Sequence, residues 1–338
     1  MKRFIVLFSI CMLFAVLAAC SGSSKTSEPS NTNANGSESG EYVPSKPLDW
    51  TIAFGPGGGN DVMARSLIAI IEQYELYPHP ITPNNREGGS GATGWGYLKN
   101  QAGSDSDIST TSGSFITTPL VSDAGFTYKD FTHVALMATD DLFLLVRGDS
   151  EFDTLEEFLD HARENRLTFG GMGVANTDRM VIAKLAEEAG IPQYEYIPYD
   201  EQGLVLADLL SGTTDAIVSN PGDVPGQIAA GELKALAFSG KMRLPGEYAE
   251  IPTFIELGYD VNISMPRGVI LPPDVPEEVR EYWIETMKKV AETPEWKDYI
   301  HKNYLTEYIL YGDDFTAYLD ETVQTFEEIL KELGVIED

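Results

Sequence analysis

Apolar and polar positions alternate along most of this chain, switching between two periods. Residues 48–54 read as a strand. Residues 61–75 then place Val62, Ala64, Leu67, Ile68 and Ile71 at helical spacing. A short second strand is expected near Ile81, a glycine-rich helix over 88–100, and a strand over 107–111 that ends in the polar loop Ser112-Gly113-Ser114. Residues 142–147 are strongly strand-like and are expected to cross between domains. In Thr154-Leu155-Glu156-Glu157 the spacing predicts a helix start, with Thr154 as cap and Glu157 reaching back. Further strands are expected at 167–169, 194–197, 216–219 and 235–239, with helices at 178–189, 202–210 and 223–230. Residues 261–264 are expected to return the chain to the first domain, and 277–292 and 315–333 read as C-terminal helices. This alternation predicts an α/β fold.

One event recurs in that pattern. A strand ends, a small-residue loop follows, and a helix begins, at Phe54/Asp61, Phe169/Thr177 and Ser219/Asp223. Ligands of open α/β sheets sit beyond the carboxyl ends of the strands. Two domains facing each other would bring two such sets around one cleft.

The first forty residues follow a different logic. Met1-Lys2-Arg3 is a short basic start, and 4–19 form an almost wholly apolar run ending in Leu17-Ala18-Ala19-Cys20. The run is too short for a comfortable membrane span and small polar residues follow it, so 1–19 read as a signal peptide. The last four of these residues resemble a bacterial lipobox, which implies lipidation at Cys20 and a stable membrane anchor. Residues 21–40 carry almost nothing apolar and read as a flexible tether, so the segment 20–42 is lipidated cysteine plus tether. Work outside the cytoplasm, close to a membrane, is expected.

Composition narrows the chemistry. Cys11 and Cys20 are the only cysteines, so a body beginning beyond Cys20 has no disulfide, thiol nucleophile or thiolate metal site. The net charge is -30, and loss of Lys2 and Arg3 with the leader takes -30 to -32. A nucleic-acid partner is thereby excluded, since a phosphate backbone requires a basic footprint. His79, His133, His161 and His301 lie scattered, no serine stands in a G-x-S-x-G motif, and Asp140-Asp141 reads as a solvated turn. No catalytic constellation, cofactor or metal site is expected.

Residues 55–61 (GPGGGND) are the sharpest local feature. Glycines let the backbone turn tightly, Asn60 or Asp61 can cap the helix, and first-turn amides facing an anion gain from the helix dipole. A bare tight turn is the alternative. No Gly-Lys-Ser/Thr follows, so this is not a P-loop. The second loop, Gly171-Met172-Gly173-Val174-Ala175-Asn176, has Asn where a dinucleotide fingerprint needs Gly or Ala. A second small-anion site capped by Asn176 or Thr177 fits it better.

Several segments then fall in a familiar order. Pro44-Ser45-Lys46-Pro47 precedes the first strand, and 54–65 read FGPGGGNDVMAR. Tyr196-Ile197-Pro198-Tyr199, Asp208-Leu209-Leu210-Ser211-Gly212, Ile251-Pro252-Thr253, Glu256-Leu257-Gly258-Tyr259-Asp260 and Pro272-Pro273 follow. In this order the chain resembles the TctC-like (Bug) family, the extracytoplasmic solute receptors of tripartite tricarboxylate transporters. The resemblance implies a two-domain, periplasmic-binding-protein-like clamp (type II-like) with two crossovers. Domain 1 would comprise 43–145 plus 262–338, and domain 2 146–261. It also implies a carboxylate ligand in the cleft. Phe54, Gly58, Gly59, Asn60 and Asp61 would form the first set, with Thr111, Ser112 and Ser114 nearby and Gly173, Ala175, Asn176 and Thr177 opposite.

In those roles Gly58 and Gly59 would donate backbone N–H groups and Asn60 its side-chain amide. Asp61 would hold the loop, and Phe54 would wall the pocket. Arg267 is the candidate partner of a second carboxylate, or else a structural salt bridge. Two departures bear on the solute: Arg179 stands where many members have His, and Pro198-Tyr199-Asp200-Glu201 lacks the family's glycine. The resemblance thus implies a monomeric, lipid-anchored receptor on the outer face of a Gram-positive membrane or in a periplasm. It would deliver a di- or tricarboxylate, citrate-like first, to integral membrane subunits. A receptor for another organic or amino acid or a neutral solute, a sensory receptor, and an extracytoplasmic hydrolase are the alternatives.

Overall fold

The computed structural model describes residues 42–199 and 201–337. The signal-peptide, Cys20 and tether expectations lie outside the described residues. The chain begins β1 (Leu48–Ile52), α1 (Gly59–Gln73), β2 (Ile81–Asn85), α2 (Ala92–Lys99), β3 (Asp107–Thr110), α3 (Ser114–Val121) and β4 (Thr132–Asp140). It continues β5 (Phe143–Arg147), α4 (Leu155–Glu164), β6 (Leu167–Met172), α5 (Thr177–Ala189), β7 (Tyr194–Tyr199), α6 (Gln202–Ser211), β8 (Ala216–Ser219), α7 (Pro225–Ala229) and β9 (Leu233–Phe238). It closes with β10 (Met265–Leu271), α8 (Glu277–Ala291), α9 (Pro294–Lys302), β11 (Leu310–Tyr311) and α10 (Asp313–Glu332).

These elements build two mixed sheets, ordered β11-β4-β10-β3-β1-β2 and β7-β6-β8-β5-β9. Strands β1, β2 and β3 pair in parallel, as do β6, β7 and β8, whereas β10 is antiparallel to both β3 and β4. Local sequence explains the elements. Leu48, Trp50 and Ile52 alternate into one core, where Trp50 meets Trp283 edge-on. Met63, Ala64, Leu67, Ile68 and Ile71 bury one face of α1. The capping box opens α4, with Thr154 Oγ1 accepting from Glu157 N and Glu157 accepting from Thr154 N. Helix α10 packs on β4 and α3 of the first sheet and on α5 of the second, so one apolar cluster runs through both.

The structure departs from the expectations at the crossings. Strand β5 is wholly a member of the second sheet, and the chain crosses just before it, at Asp140 and Asp141. Neither acid is a solvated turn residue: Asp140 is 8% exposed and Asp141 0%. The returning strand is 265–271, because residues 261–264 carry no regular structure. Pro266 and Gly268 break its apolar run, and its pairing with β4 shifts register twice, between Arg267 and Gly268 and between Val269 and Ile270. Strand β4 itself is buried on both faces from His133 to Asp140, so it shows no alternation to read.

Both crossings are pinned together. Ser239 N donates to Leu142 O (2.9 Å), Ser239 Oγ accepts from Leu142 N (2.9 Å) and donates to Ile263 O (3.1 Å). The Asp141 carboxylate accepts from the hydroxyls of Ser264 and Thr139. A second brace fixes the β6–α5 junction. Asp178 accepts from Met172 N and from Arg179 N, and only glycine fits at 171, where a Cβ would stand 2.3 Å from the Asp178 carboxylate.

Two measurements check these braces. Ser239→Ala leaves the buried Leu142 amide without its side-chain acceptor and should lower unfolding stability by about 1–3 kcal/mol. An unchanged urea midpoint would mean that Ser239 does not brace the crossings. Burial pushes the Asp178 carboxyl up to about 6, against the opposing backbone amides. The folded state therefore holds this proton more tightly than the unfolded one. The resulting stability is full below about pH 4 and is lost as pH rises through about 6, roughly 3 kcal/mol in all. Asp178→Asn should flatten the stability profile over that window; parallel profiles for variant and wild type would contradict the assignment.

Candidate functional site

The loop after β1 is built to leave amides open. Asp61 sits in the first turn of α1, 3% exposed, and accepts from Gly57 N (2.9 Å), Arg65 Nε (2.8 Å) and Asn85 Nδ2 (2.9 Å). Burial works against its charge, but those donors outweigh burial and hold its carboxyl below the usual range. Asn85 also donates to Phe54 O (2.8 Å), which fixes the loop from β2. Asn60 is likewise committed: Nδ2 donates to Thr111 O (3.0 Å) and Oδ1 accepts from Thr110 Oγ1 (3.2 Å). No side chain caps the helix, and Val62 N makes the first bond back, to Gly58 O. The amides of Gly59, Asn60 and Asp61 thus have no acceptor within the helix.

Strand β3 delivers a second loop to the same place. Thr111 is fully buried and clamps β10, with Oγ1 accepting from Gly268 N (2.8 Å) and donating to Pro266 O (3.3 Å). The next residue, Ser112, has a buried hydroxyl with no hydrogen-bond partner. Because β10 runs antiparallel to β3, its beginning lies beside the end of β3, and Met265 and Arg267 arrive there too. The Arg267 guanidinium lies against the start of α1, with Nη2 3.0 Å from where a Gly59 Cβ would stand. A side chain at 59 would collide with it. Arg267 pairs with Asp140 while its Nε is buried without an acceptor. Burial works against the Arg267 charge, and Asp140 outweighs it, so the guanidinium holds its proton more tightly than usual.

The second sheet contributes a start of a different kind. Asn176 caps α5 with Oδ1 accepting from Thr177 N (2.9 Å), and Asp178 takes Arg179 N (2.8 Å). These first-turn amides are spent within the chain, so the second helix start does not offer the open donors of the first. Arg179 braces the loop, donating from Nη1 to Val174 O (2.6 Å) with its guanidinium 5.1 Å from the Tyr196 ring centroid. Asp200, part of the second departure, lies outside the described residues.

One cavity of about 250 Å³ joins these parts. Phe54, Gly58, Gly59, Asn60, Ser112, Ser114, Asn176, Thr177 and Arg267 line it, together with Gly113, Thr117 and Met265, which sequence reasoning did not select. Asp61 and Thr111 stand behind the wall as supports. Gly173 and Ala175 do not line it: Gly173 N bonds Tyr199 O (2.9 Å), and Ala175 packs on the core. Thr117 lies one turn into α3, a position that spacing from Ser114 could have suggested. Met265 was hidden by the misplaced start of β10. Arg267 is the only charged residue lining the cavity among the described residues. No group of three or more His, Cys, Asp or Glu side chains is placed to hold a metal among the described residues. The arrangement offers neutral donors and one shared cation, a surface suited to holding an anion.

Residues 73–335 match the family model described as tripartite tricarboxylate transporter family receptor. A UPF0065 protein of Cupriavidus necator is 22% identical over 298 residues, covering 87% of this chain and 90% of its own. Protein BugT of Bordetella pertussis is 25% identical over 241 residues, 70% of this chain and 73% of BugT. A TctC solute binding protein from Polaromonas superposes with a TM-score of 0.79 at 23% identity, over 86% of this chain and 100% of that one. MatC from Rhodopseudomonas palustris, with bound malate, gives 0.63 at 17% identity over 85% and 100%. Another protein from that organism, with adipate, gives 0.68 at 20% identity over 86% and 98%. The two-domain α/β solute-receptor fold is shared with these structures, and the family match covers most of the sequence. The chain belongs to the receptor family of the tripartite tricarboxylate transporters.

Proposed function

We propose that this receptor captures a small organic carboxylate carrying two or three carboxyl groups in the cavity between its sheets and presents it to the membrane subunits of its transporter. The observation that carries the reading is the pairing of an uncapped helix start, α1, with the unpartnered Ser112 hydroxyl on one cavity. One ligand carboxylate accepts from the amides at Gly59 and Asn60 and from Ser112. A second reaches Arg267. Phe54 and Met265 wall the apolar part of the solute, and Asn176 and Thr177 meet it from the second sheet. Malate and adipate in the two Rhodopseudomonas proteins support a carboxylate of this size. Ligand-stabilised closure of the two lobes about the pinned crossings is the signal to the partner. We further propose that Cys20 is lipidated and holds the receptor at the outer face of a membrane. Among the described residues no helix is long and apolar enough to cross one.

Malate, adipate and citrate should each be tested for a rise in melting temperature, beside neutral sugars and amino acids, followed by calorimetry. A rise confined to neutral solutes would defeat the anion site. Ser112→Ala separates binding from stability. It removes a buried hydroxyl that has no partner, so the melting temperature without ligand should hold while carboxylate affinity falls roughly tenfold. Equal affinity in variant and wild type would move the ligand away from Ser112. Asn60→Ala should behave otherwise, lowering both stability, by about 1–3 kcal/mol, and affinity, since Asn60 ties the helix start to β3. A loss of affinity with stability intact would instead make its amide a direct ligand.

A further inference from the structure

Asp140 ends β4, at the point where the chain leaves the first sheet, and it was not among the residues expected at the site. Its carboxylate has two partners from opposite sides of the cleft. Arg267 of β10 forms the ion pair, and Asn220, following β8 of the second sheet, donates Nδ2 to Oδ1 at 2.5 Å. Both members of the pair are nearly closed off, with side chains 13% and 11% exposed. Arg267 nevertheless lines the cavity and keeps a buried Nε without an acceptor. Its charge is therefore shared before any solute arrives, while part of its donor fork is unspent. Asp223 lies within the field of the same carboxylate and is pushed up, by burial first and by Asp140 second.

A solute carboxylate that reaches Arg267 meets Asp140 across the same guanidinium. One further negative charge can be tolerated through the unspent N–H groups. A third finds no other cation on the cavity wall among the described residues, and like charges brought together in a binding site oppose binding. We propose that Asp140 is a specificity-determining residue, a built-in carboxylate that shares Arg267 with the solute and restricts the cavity to dicarboxylates over tricarboxylates. This rests on the carboxylate reading above and sets citrate behind malate-like solutes.

Titration calorimetry with malate and citrate, on the wild type, Asp140→Asn and Asp140→Glu, tests it. The wild type should bind malate at least about tenfold more tightly than citrate. Asp140→Asn keeps the shape and removes the charge, so the citrate-to-malate affinity ratio should rise at least about tenfold, most strongly at low salt. Asp140→Glu should restore the wild-type order. A purely structural role would weaken both ligands together and leave the ratio unmoved, which overturns the proposal. Should the Asn variant fail to fold, the wild type still decides: citrate bound as tightly as malate overturns it. A wild type that binds malate, with an unmoved ratio in the variant, removes only Asp140's role. A wild type that binds no carboxylate removes the reading of the site itself.

Discussion

Strand β10 is hydrogen-bonded antiparallel between β3 and β4, with Val269 opposite Thr110 and Arg267 opposite Ala138. The cleft depends on this register. Parallel strands β1 and β3 deliver their loops at their carboxyl ends, and an antiparallel neighbour is what brings its own beginning to that edge. Thr111 locks the alignment from both sides, donating its N–H to Gly268 O (2.9 Å) and accepting from Gly268 N at its hydroxyl. A slip of one residue would turn Arg267 to the other face of the sheet, away from Gly59 and Asp140. The cation, its acid partner and the glycine that makes room for it therefore form one assembly, held by backbone pairing.

The electrostatics of the cleft follow from how little charge that assembly leaves uncovered. The chain as a whole carries -30, a field that opposes anions at long range and is screened beyond about 8–10 Å in physiological salt. Close to the cavity wall two acids are turned away from it. Asp61 is turned into its own loop by Gly57, Asn85 and Arg65, and Asp178 is turned into the backbone at Met172 and Arg179. The polar groups on the cavity wall are amides, hydroxyls and one shared guanidinium, beside the apolar Phe54 and Met265. Short-range dipoles of this kind act where the bulk field is screened, which is how an acidic protein can present an anion site without a basic patch.

Much of this architecture was legible in the sequence, for reasons that differ from residue to residue. The spacing of Ala64 to Ile71 and the small-residue loop before it specify helix α1 and its exposed start, because both are local properties; Val62, expected on the apolar face, is exposed, and Met63 is buried in its place. Thr154 and Glu157 likewise announce a cap that the structure contains. What escaped depends on register and crossing. Asp140-Asp141 reads as a polar turn, and becomes buried because two chain crossings pack over it. Strand β10 hides behind Pro266 and Gly268, which interrupt its apolar run. Asn60 has the right chemistry to touch a ligand, but the end of β3 takes its amide first. Gly173 and Ala175 belong to a loop whose sequence resembles an anion cradle, and Tyr199 and the core claim them instead.

The difference between the two helix starts gives the cleft a direction. At α1 the amides of Gly59, Asn60 and Asp61 are open, whereas at α5 Asn176 and Asp178 take the amides of Thr177 and Arg179. On the proposed function, an anion would be anchored mainly on the first lobe, with the second lobe as the wall that completes its enclosure. For such a division to transmit binding, the lobes must move as bodies about a defined axis rather than drift. Ser239 and the Asp141 network tie the outgoing crossing at Leu142 to the returning one at Ile263 and Ser264, where such an axis would lie. Asn220 reaches from the second lobe to Asp140, and so to the cation at the cavity wall. On the proposed reading, the charge state felt by the solute and the spacing of the two lobes would be linked through this one carboxylate, so that selectivity and closure would depend on the same contact.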